Sequence, residues 1–252
     1  MLDNSSEYSK MAKVELEHWW YKSLHELTLK NVQNKFSDKS ISIIDAGCGT
    51  GGLLFQFKKK GYNNCSGIDI SIHAIEHAKA RGMNVVQGNI ININKYYAAN
   101  SCAVIISHDV FYFLSIQERK EVLQKYYALL QPNGIVILNL PALKIFRGMH
   151  DLSVGIISRL HKRNVKEMLR TSGFKLIKFI YWPFFLSPLI IIIRFFQRIK
   201  LKLNPHSERT SDIEIPSPII NKFCYLLTKI ENTLLPYKPI GSSIFIILRK
   251  DA

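Results

Sequence analysis

One short segment restricts this chain to very few folds: IIDAGCGTGG (43–52), a GxGxxG pattern directly behind a β-branched run. Glycine at 47, 49 and 52 permits a turn that residues with a Cβ resist, and lets main-chain amides approach a ligand closely. Such a loop works where a buried strand hands over to a helix N-terminus. The following sequence alternates accordingly. ISIIDAG (41–47), CSGIDI (65–70), MNVVQG (83–88), CAVIIS (102–107) and GIVILNL (134–140) read as short buried strands. Helical stretches run up to Lys60, over 71–81 behind Ser71 as a cap, and over 116–130. Five strands alternating with helices predict an α/β protein with a Rossmann-like, doubly wound and mostly parallel sheet.

GxGxxG alone serves several nucleotides, and Asp45 separates them. A carboxylate just ahead of the loop repels a pyrophosphate but suits the cationic amino group of a methionine moiety. Asp69 closes the second strand, 22 residues after Gly47, where a carboxylate can accept both hydroxyls of a ribose.

At these residues the chain resembles the class I S-adenosylmethionine-dependent methyltransferases, which include the ubiquinone and menaquinone methyltransferases. DAGCGTG (45–51) fits the family's DxGxGxG, and GIDIS (67–71) its ribose-binding strand end. Asn89 in QGNI stands where the family usually has an acidic contact to the adenine amino group. ISHDVFYFL (106–114) resembles the fourth-strand segment. LLQPNGIVILNLPA (129–142) resembles the LKPGG approach to the fifth strand, with Asn133 replacing a glycine. HWWYKSL (18–24), PALKIFRGMHD (141–151) and PIGSSIFIILRK (239–250) resemble a bacterial subgroup serving polysaccharide, lipid or specialised-metabolite pathways. The resemblance implies S-adenosylmethionine as cofactor and an antiparallel last strand. It implies cofactor contacts from Asp45, Gly47, Cys48, Gly49, Gly51, Asp69, Ile70, Asn89, Ile90, Ser107 and His108. The implied organisation is an N-terminal helical lid (1–40), a cofactor domain (41–182), a helical insert (183–242) and a final strand (243–252).

Methyl transfer is an in-line displacement, so positioning supplies much of the catalysis, and a hydroxyl or protonated amine acceptor also needs a base. His108 follows the fourth strand at the carboxyl edge, where open α/β sheets bind ligands. His150, beside Asp151 in the loop after the fifth strand, is a second candidate base. Adjacent residues rarely face each other, so Asp151 is expected to support something else. Tyr112 either covers the acceptor pocket or packs with Phe111 and Phe113. One helix over 11–36 carries His18, Trp19, Trp20 and Tyr21, which either pack in the core or close over the cofactor. Trp20 or Tyr21 against a sulfonium would make a cation–π contact.

Beyond Pro141 the pattern loosens. A helix (161–172) and a strand, FKLIKFIYW (174–182), precede some sixty residues foreign to a minimal fold of this kind. PFFLSPLIIII (183–193) is followed by Arg194, Arg198, Lys200 and Lys202, then by a polar link (204–218) and an amphipathic helix (219–235). Three readings stay open: a hydrophobic cap over the acceptor, a peripheral membrane contact through 183–202, or a dimer interface. The first two imply a fairly hydrophobic or lipid-linked acceptor. The apolar run has 11 residues, whereas a spanning helix needs roughly 20.

Charge bears on partners. Lys and Arg outnumber Asp and Glu by 34 to 19, and from Arg159 onward 17 basic residues face 6 acidic ones. That excess attracts any anionic partner. A nucleic-acid methyltransferase would suit it, but SHDVFYF stands where an Asn/Asp-Pro-Pro-aromatic segment is expected. An NAD-dependent oxidoreductase could use the same glycines, against Asp45. A cofactor-binding scaffold without turnover is the non-enzymatic alternative. Four scattered cysteines (48, 65, 102, 224) make no metal-binding pattern, so no metal is expected. The polar opening lacks a signal-peptide core; the expected location is the cytoplasm, with membrane association left open.

Overall fold

In a computed structural model, residues 5–204 and 214–251 are described. The chain opens with α1 (Ser5–Val14) and α2 (Trp19–Lys35), followed by β1 (Ile43–Ala46), α3 (Gly52–Lys59), β2 (Cys65–Asp69), α4 (Ile72–Ala80) and β3 (Asn84–Gln87). A 3₁₀ turn (Ile90–Lys95) leads to β4 (Cys102–His108), and a second (Phe111–Phe113) to α5 (Ile116–Leu129) and β5 (Leu130–Pro141). Then come α6 (Met149–Val154), α7 (Lys162–Leu169), β6 (Lys175–Trp182), α8 (Ser187–Leu203), α9 (Pro218–Leu234) and β7 (Ser243–Arg249). Most of the polar link expected over 204–218 lies outside the described residues.

The seven strands form one sheet in the order β3-β2-β1-β4-β5-β7-β6. Neighbours from β3 to β5 pair in parallel, and β7 runs antiparallel to both β5 and β6. The order reverses beside β1, so the carboxyl ends of β1, β2 and β4 border the crevice where doubly wound sheets take ligands. The central strands are buried on both faces: β1 and β5 from Ile135 onward carry no exposed residue. This explains their unbroken aliphatic runs. One apolar layer packs under α5 and α7 (Val122, Leu123, Val165) and the other under α2 and α3 (Leu24, Leu27, Phe57).

Local chemistry sets the element ends. Ser71 Oγ accepts from the Ala74 amide at 3.4 Å, capping α4 as expected. Ser115 and Glu118 exchange the reciprocal bonds of a capping box on α5. Asn133 adopts φ +63°, the left-handed conformation anticipated for the residue replacing glycine.

Two sequence expectations are corrected. The single helix over 11–36 is two, because Glu15 turns inward at the break and His18 caps α2, its Nδ1 accepting from the Trp20 amide at 3.2 Å. The stretch after Pro141, read as a loop, contains α6 with His150 in its first turn. Glu15 fixes α1. Its carboxylate accepts from Thr50 Oγ1 and Arg81 Nη1, and Arg81 also donates to the Ala12 and Thr50 carbonyls. Glu15 is buried and Arg81 partly so, and desolvation holds the Glu15 carboxyl above its ordinary range despite Arg81 and Thr50.

Removing the cation should leave Glu15 buried and uncompensated, a change worth about 3–5 kcal/mol. Arg81→Ala is therefore expected to undock α1 locally. Amide exchange should accelerate across 5–14 and stay slow in β1, β4 and β5; equal acceleration in the sheet would refute a local role.

Candidate functional site

The loop between β1 and α3 is built as its glycines require. Gly47, Gly49 and Gly51 have φ of +89°, +51° and +80°. A Cβ on Gly47 would stand 2.1 Å from Val110 Cγ2, so this glycine is needed for contact as well as for its dihedral. The amides of Gly47 and Cys48 both donate to the Ile68 carbonyl, at 2.7 and 3.1 Å. Asp69 then accepts from the Gly49 amide at 2.9 Å and, through its other oxygen, from the Ser71 amide at 3.0 Å.

This loop forms one end of a cavity of about 870 Å³. Asp45 and Asp69 line it from β1 and β2, and Asn89 and Ile90 from the segment after β3. Tyr8, Met11 and Trp20 line it from α1 and α2. Leu186, Leu189, Ile190 and Ile193 at α8 and Ile220 on α9 give it an aliphatic wall, with Arg194 and Glu214 beside them. Burial, with Asp69 and Glu15 nearby, pushes the Asp45 carboxyl up to about 8. Burial also raises Asp69, against the amides that hydrogen-bond it.

The expected site residues separate into two groups. Asp45, Gly47, Cys48, Gly49, Asp69, Ile70, Asn89, Ile90, His108, Tyr112, His150, Trp20 and Tyr21 all border the cavity. Gly51 and Ser107 stand elsewhere. Gly51 lies under the loop, where a Cβ would meet Ala78 Cβ at 3.0 Å. Ser107 is fully buried and donates to the Ala46 carbonyl at 2.7 Å, tying β4 to β1. Both therefore shape the turn from behind.

The details redistribute the chemistry. His108 Nε2 lies 3.2 Å from Thr28 Oγ1, and burial, with His25 beside it, lowers the imidazole to about 3. Asp151 holds Arg159, accepting from its Nε at 2.6 Å and Nη2 at 3.0 Å, and accepts from the Gly148 amide. Asp151 thus supports Arg159 and the start of α6, as anticipated. Trp20 stacks on Trp182 with ring centres 5.5 Å apart. Tyr112 packs on Phe113, and burial drives its hydroxyl well above the usual phenol range. Asn89 Oδ1 accepts from the Ile91 amide at 2.9 Å, capping the 3₁₀ turn with one of its lone pairs.

Sequence reasoning passed over Asp109. Its φ is +54°, and Asn139 Nδ2 holds both carboxylate oxygens, at 3.1 and 2.9 Å. Asn139 is itself oriented by Trp182 Nε1 at 2.8 Å. Burial raises the Asp109 carboxyl to about 7, with Asn139 and Arg159 opposing. The available signal was its place directly behind β4, one residue past the histidine that drew attention.

S-adenosylmethionine fits this donor set. Asp45 and Asp69 are buried carboxyls with raised pKa values, which a ligand cation and ribose hydroxyls would stabilise as carboxylates. The glycines of the positive-φ turn put no Cβ between the backbone and a ligand.

The family model for a methyltransferase domain matches residues 37–178. Among curated relatives, phosphoethanolamine N-methyltransferase 1 of Arabidopsis thaliana is 31% identical over 101 residues, covering 38% of this chain and 20% of that protein. The Plasmodium falciparum phosphoethanolamine N-methyltransferase is 27% identical over 117 residues, covering 45% and 44%. The chain spans between a fifth and about half of the length of the curated relatives it matches. A SAM-dependent methyltransferase structure from Archaeoglobus fulgidus superposes with a TM-score of 0.57 at 18% identity, over 90% of this chain and 94% of that one. Haemonchus contortus phosphoethanolamine N-methyltransferase 2, solved with phosphomonomethylethanolamine and S-adenosylhomocysteine, gives 0.56 at 14%, over 89% and 52%. At these identities the superpositions establish the fold alone. The family model covers more than half of the chain, including the strand, turn and carboxylates that build the cavity's polar end, so this chain belongs to the methyltransferase domain family.

Proposed function

We propose that the protein transfers a methyl group from S-adenosylmethionine to a fairly hydrophobic small molecule or lipid-linked acceptor. One observation carries this reading: a single cavity joins the buried carboxyls Asp45 and Asp69 to the apolar wall of α8 and α9. When bound, the cofactor's sulfonium supplies a methyl carbon open to in-line displacement. Asp69 accepts the ribose hydroxyls through lone pairs left over from the Gly49 and Ser71 amides. Asp45 would hold the ammonium of the methionine moiety, and Asn89 Oδ1 would accept from the adenine amino group. Tyr21 and Trp20 cover the cavity from α2 and help to exclude water.

For an acceptor that must lose a proton, Asp109 is the preferred base. A carboxyl raised to about 7 is matched to neutral pH, whereas an imidazole lowered to about 3 makes His108 a weak base. His150 and Tyr112 then position the acceptor from α6 and from the turn after β4. The relatives' names suggest a second class, a small cationic phosphate ester. Of the two arginines that line the cavity, Arg159 is held by Asp151 and Arg194 donates to Gln197, and the wall beside them is aliphatic, which supports the apolar acceptor.

Asp69→Ala should weaken S-adenosylhomocysteine binding by about 1.5–3 kcal/mol in calorimetry, with the fold kept. NADH should show no heat. Tight NADH binding, or unchanged affinity in a folded Asp69→Ala variant, would overturn the cofactor assignment.

Binding should also release protons at pH 7. With its pKa at about 8, Asp45 is mostly protonated in the free protein at that pH. An ammonium beside it lowers the pKa and expels the proton. Calorimetry in buffers of differing ionisation enthalpy should read the release, and Asp45→Asn should abolish it.

With any accepted hydroxyl or amine substrate, kcat/KM should rise as pH passes upward through about 7, where Asp109 ionises. Asp109→Asn should remove that rise and lower kcat by about 10²–10⁴-fold. A larger loss on His150→Ala or His108→Ala, with the pH limb kept in Asp109→Asn, would move the base to a histidine.

A further inference from the structure

The two helices between β6 and β7 bond to the protein through polar side chains and turn apolar stripes, flanked by lysines, outward. On α8, Leu189, Ile192, Ile193, Phe196, Ile199 and Leu203 are all exposed, with Phe196 at 62% and Leu203 at 82%. Their spacing of i, i+3, i+4, i+7, i+10 and i+14 makes one continuous stripe. The opposite face is tied down by polar bonds. Gln197 Oε1 accepts from the Met149 amide at 3.2 Å and from Arg194 Nη1 at 2.8 Å, and Arg198 donates to the Ile145 carbonyl at 3.4 Å.

Helix α9 repeats the arrangement. Ile219, Phe223, Leu226, Ile230 and Leu234 form its exposed stripe, Ile219 at 82%. Its inward face bonds through Asn221 to the Trp19 amide (2.8 Å) and Glu17 carbonyl (2.9 Å), and through Thr228 to Ser23 (2.6 Å). Buried Glu231 accepts from the Phe184 and Phe185 amides and from the buried Lys238. The sequence periodicity of both helices is therefore satisfied only by something outside the described chain, since exposed apolar area of this extent marks an interaction surface.

The cavity opens on the same surface. Leu189 and Ile193 belong to both the α8 stripe and the cavity lining, and Ile220 lines the cavity beside the α9 stripe while remaining exposed.

We propose that α8 and α9 dock on an anionic lipid bilayer, with the cavity mouth facing the acyl region, so that the acceptor arrives from the lipid phase. The charges select this occupant. Besides the inward Arg194 and Arg198, the two helices carry the exposed Lys200, Lys202, Lys222 and Lys229, and their single acid, Glu231, is buried against Lys238. A second copy docked face to face would bring these cations against each other, whereas anionic headgroups complement them. Lysine stems can lie along the apolar stripe with their ammonium groups at the headgroup level. The contact is peripheral: among the described residues no helix is long and apolar enough to cross a membrane. The acceptor route rests on the methyltransferase reading, but the docking surface does not.

The test is co-sedimentation of the full chain with vesicles of phosphatidylcholine containing phosphatidylglycerol, compared with pure phosphatidylcholine. The wild type should partition strongly to the anionic vesicles. Phe196→Glu with Phe223→Glu should lower that partition at least about 10-fold, since two exposed aromatic anchors become charges. Changing Lys200, Lys202, Lys222 and Lys229 together to Gln should lower it about 100-fold or more. None of these residues lines the cavity, so S-adenosylhomocysteine affinity should be unchanged in each variant, which also reports that the fold is intact. Partition that is absent, or equal on both vesicle types, would overturn the proposal. So would a dimer in sedimentation velocity that the Phe196→Glu, Phe223→Glu variant abolishes while wild-type vesicle binding is absent. Loss of S-adenosylhomocysteine binding in the wild type would instead strike the methyltransferase reading alone, leaving the vesicle result to decide the docking surface.

Discussion

Everything at the polar end of the cavity depends on the carboxylate of Asp69 accepting from the amide of Gly49. That bond, with the two amides that converge on the Ile68 carbonyl, fastens the glycine turn to the end of the neighbouring strand. Strand β2 lies parallel to β1, in register from Ile43 to Ala46, so the two strand ends open onto the same edge. The turn can follow this path because glycine at 47, 49 and 51 tolerates the left-handed region. Asp45 is carried to the same edge by β1, and so a second carboxyl is buried where no lysine or arginine of the turn can reach it. The arrangement stores an electrostatic deficit, expressed in its carboxyl raised to about 8. A cationic ligand relieves such a deficit.

Helix α1 extends the same constraint outward. Met11 lies against the turn, where a Cβ on Gly49 would meet its Cε at 2.8 Å, and Glu15 reaches the loop hydroxyl of Thr50. The cavity is therefore roofed by a short helix whose hold on the domain is largely polar. Such contacts open at lower cost than an apolar core, which is what a segment covering a ligand requires. By contrast, α2 packs Leu24, Leu27 and Val32 into the sheet's own core, so the two halves of the N-terminal region differ in what holds them.

The cofactor end was legible in the sequence because its physics is local. Strand, turn and strand-terminal carboxylate follow one another at fixed spacing, and burial of the strands is written as β-branched runs. Asp109 was not legible, since its raised carboxyl arises from burial and from Asn139, thirty positions away, itself oriented by Trp182. Gly51 and Ser107 lie within ligand motifs, but their packing in the fold was not legible from them. Their roles behind the turn depend on Ala78 and Ala46, which only the fold brings near. The break at Glu15 escaped notice for a similar reason: a glutamate inside a helical pattern reads as solvated until Arg81 and Thr50 are placed beside it. The two insert helices were visible as amphipathic, yet periodicity states only that two faces differ. Which face turns inward was decided by the polar partners waiting on α2 and α6.

The distribution of charge ties these parts together. The chain carries a formal +15, but the cavity is not basic. Asp45, Asp69, Asp109 and Glu15 line it, and its nearby cations Arg159 and Arg194 are bonded to Asp151 and Gln197. The interior thus favours a ligand that brings positive charge, as a sulfonium with an ammonium does. The outer helices favour a surface that brings negative charge. These preferences oppose each other only if one partner must satisfy both. On the reading proposed above, a cationic cofactor held within and an anionic surface met without would let a single basic protein serve the two, and the apolar wall between them would hold a hydrophobic acceptor against the methyl donor.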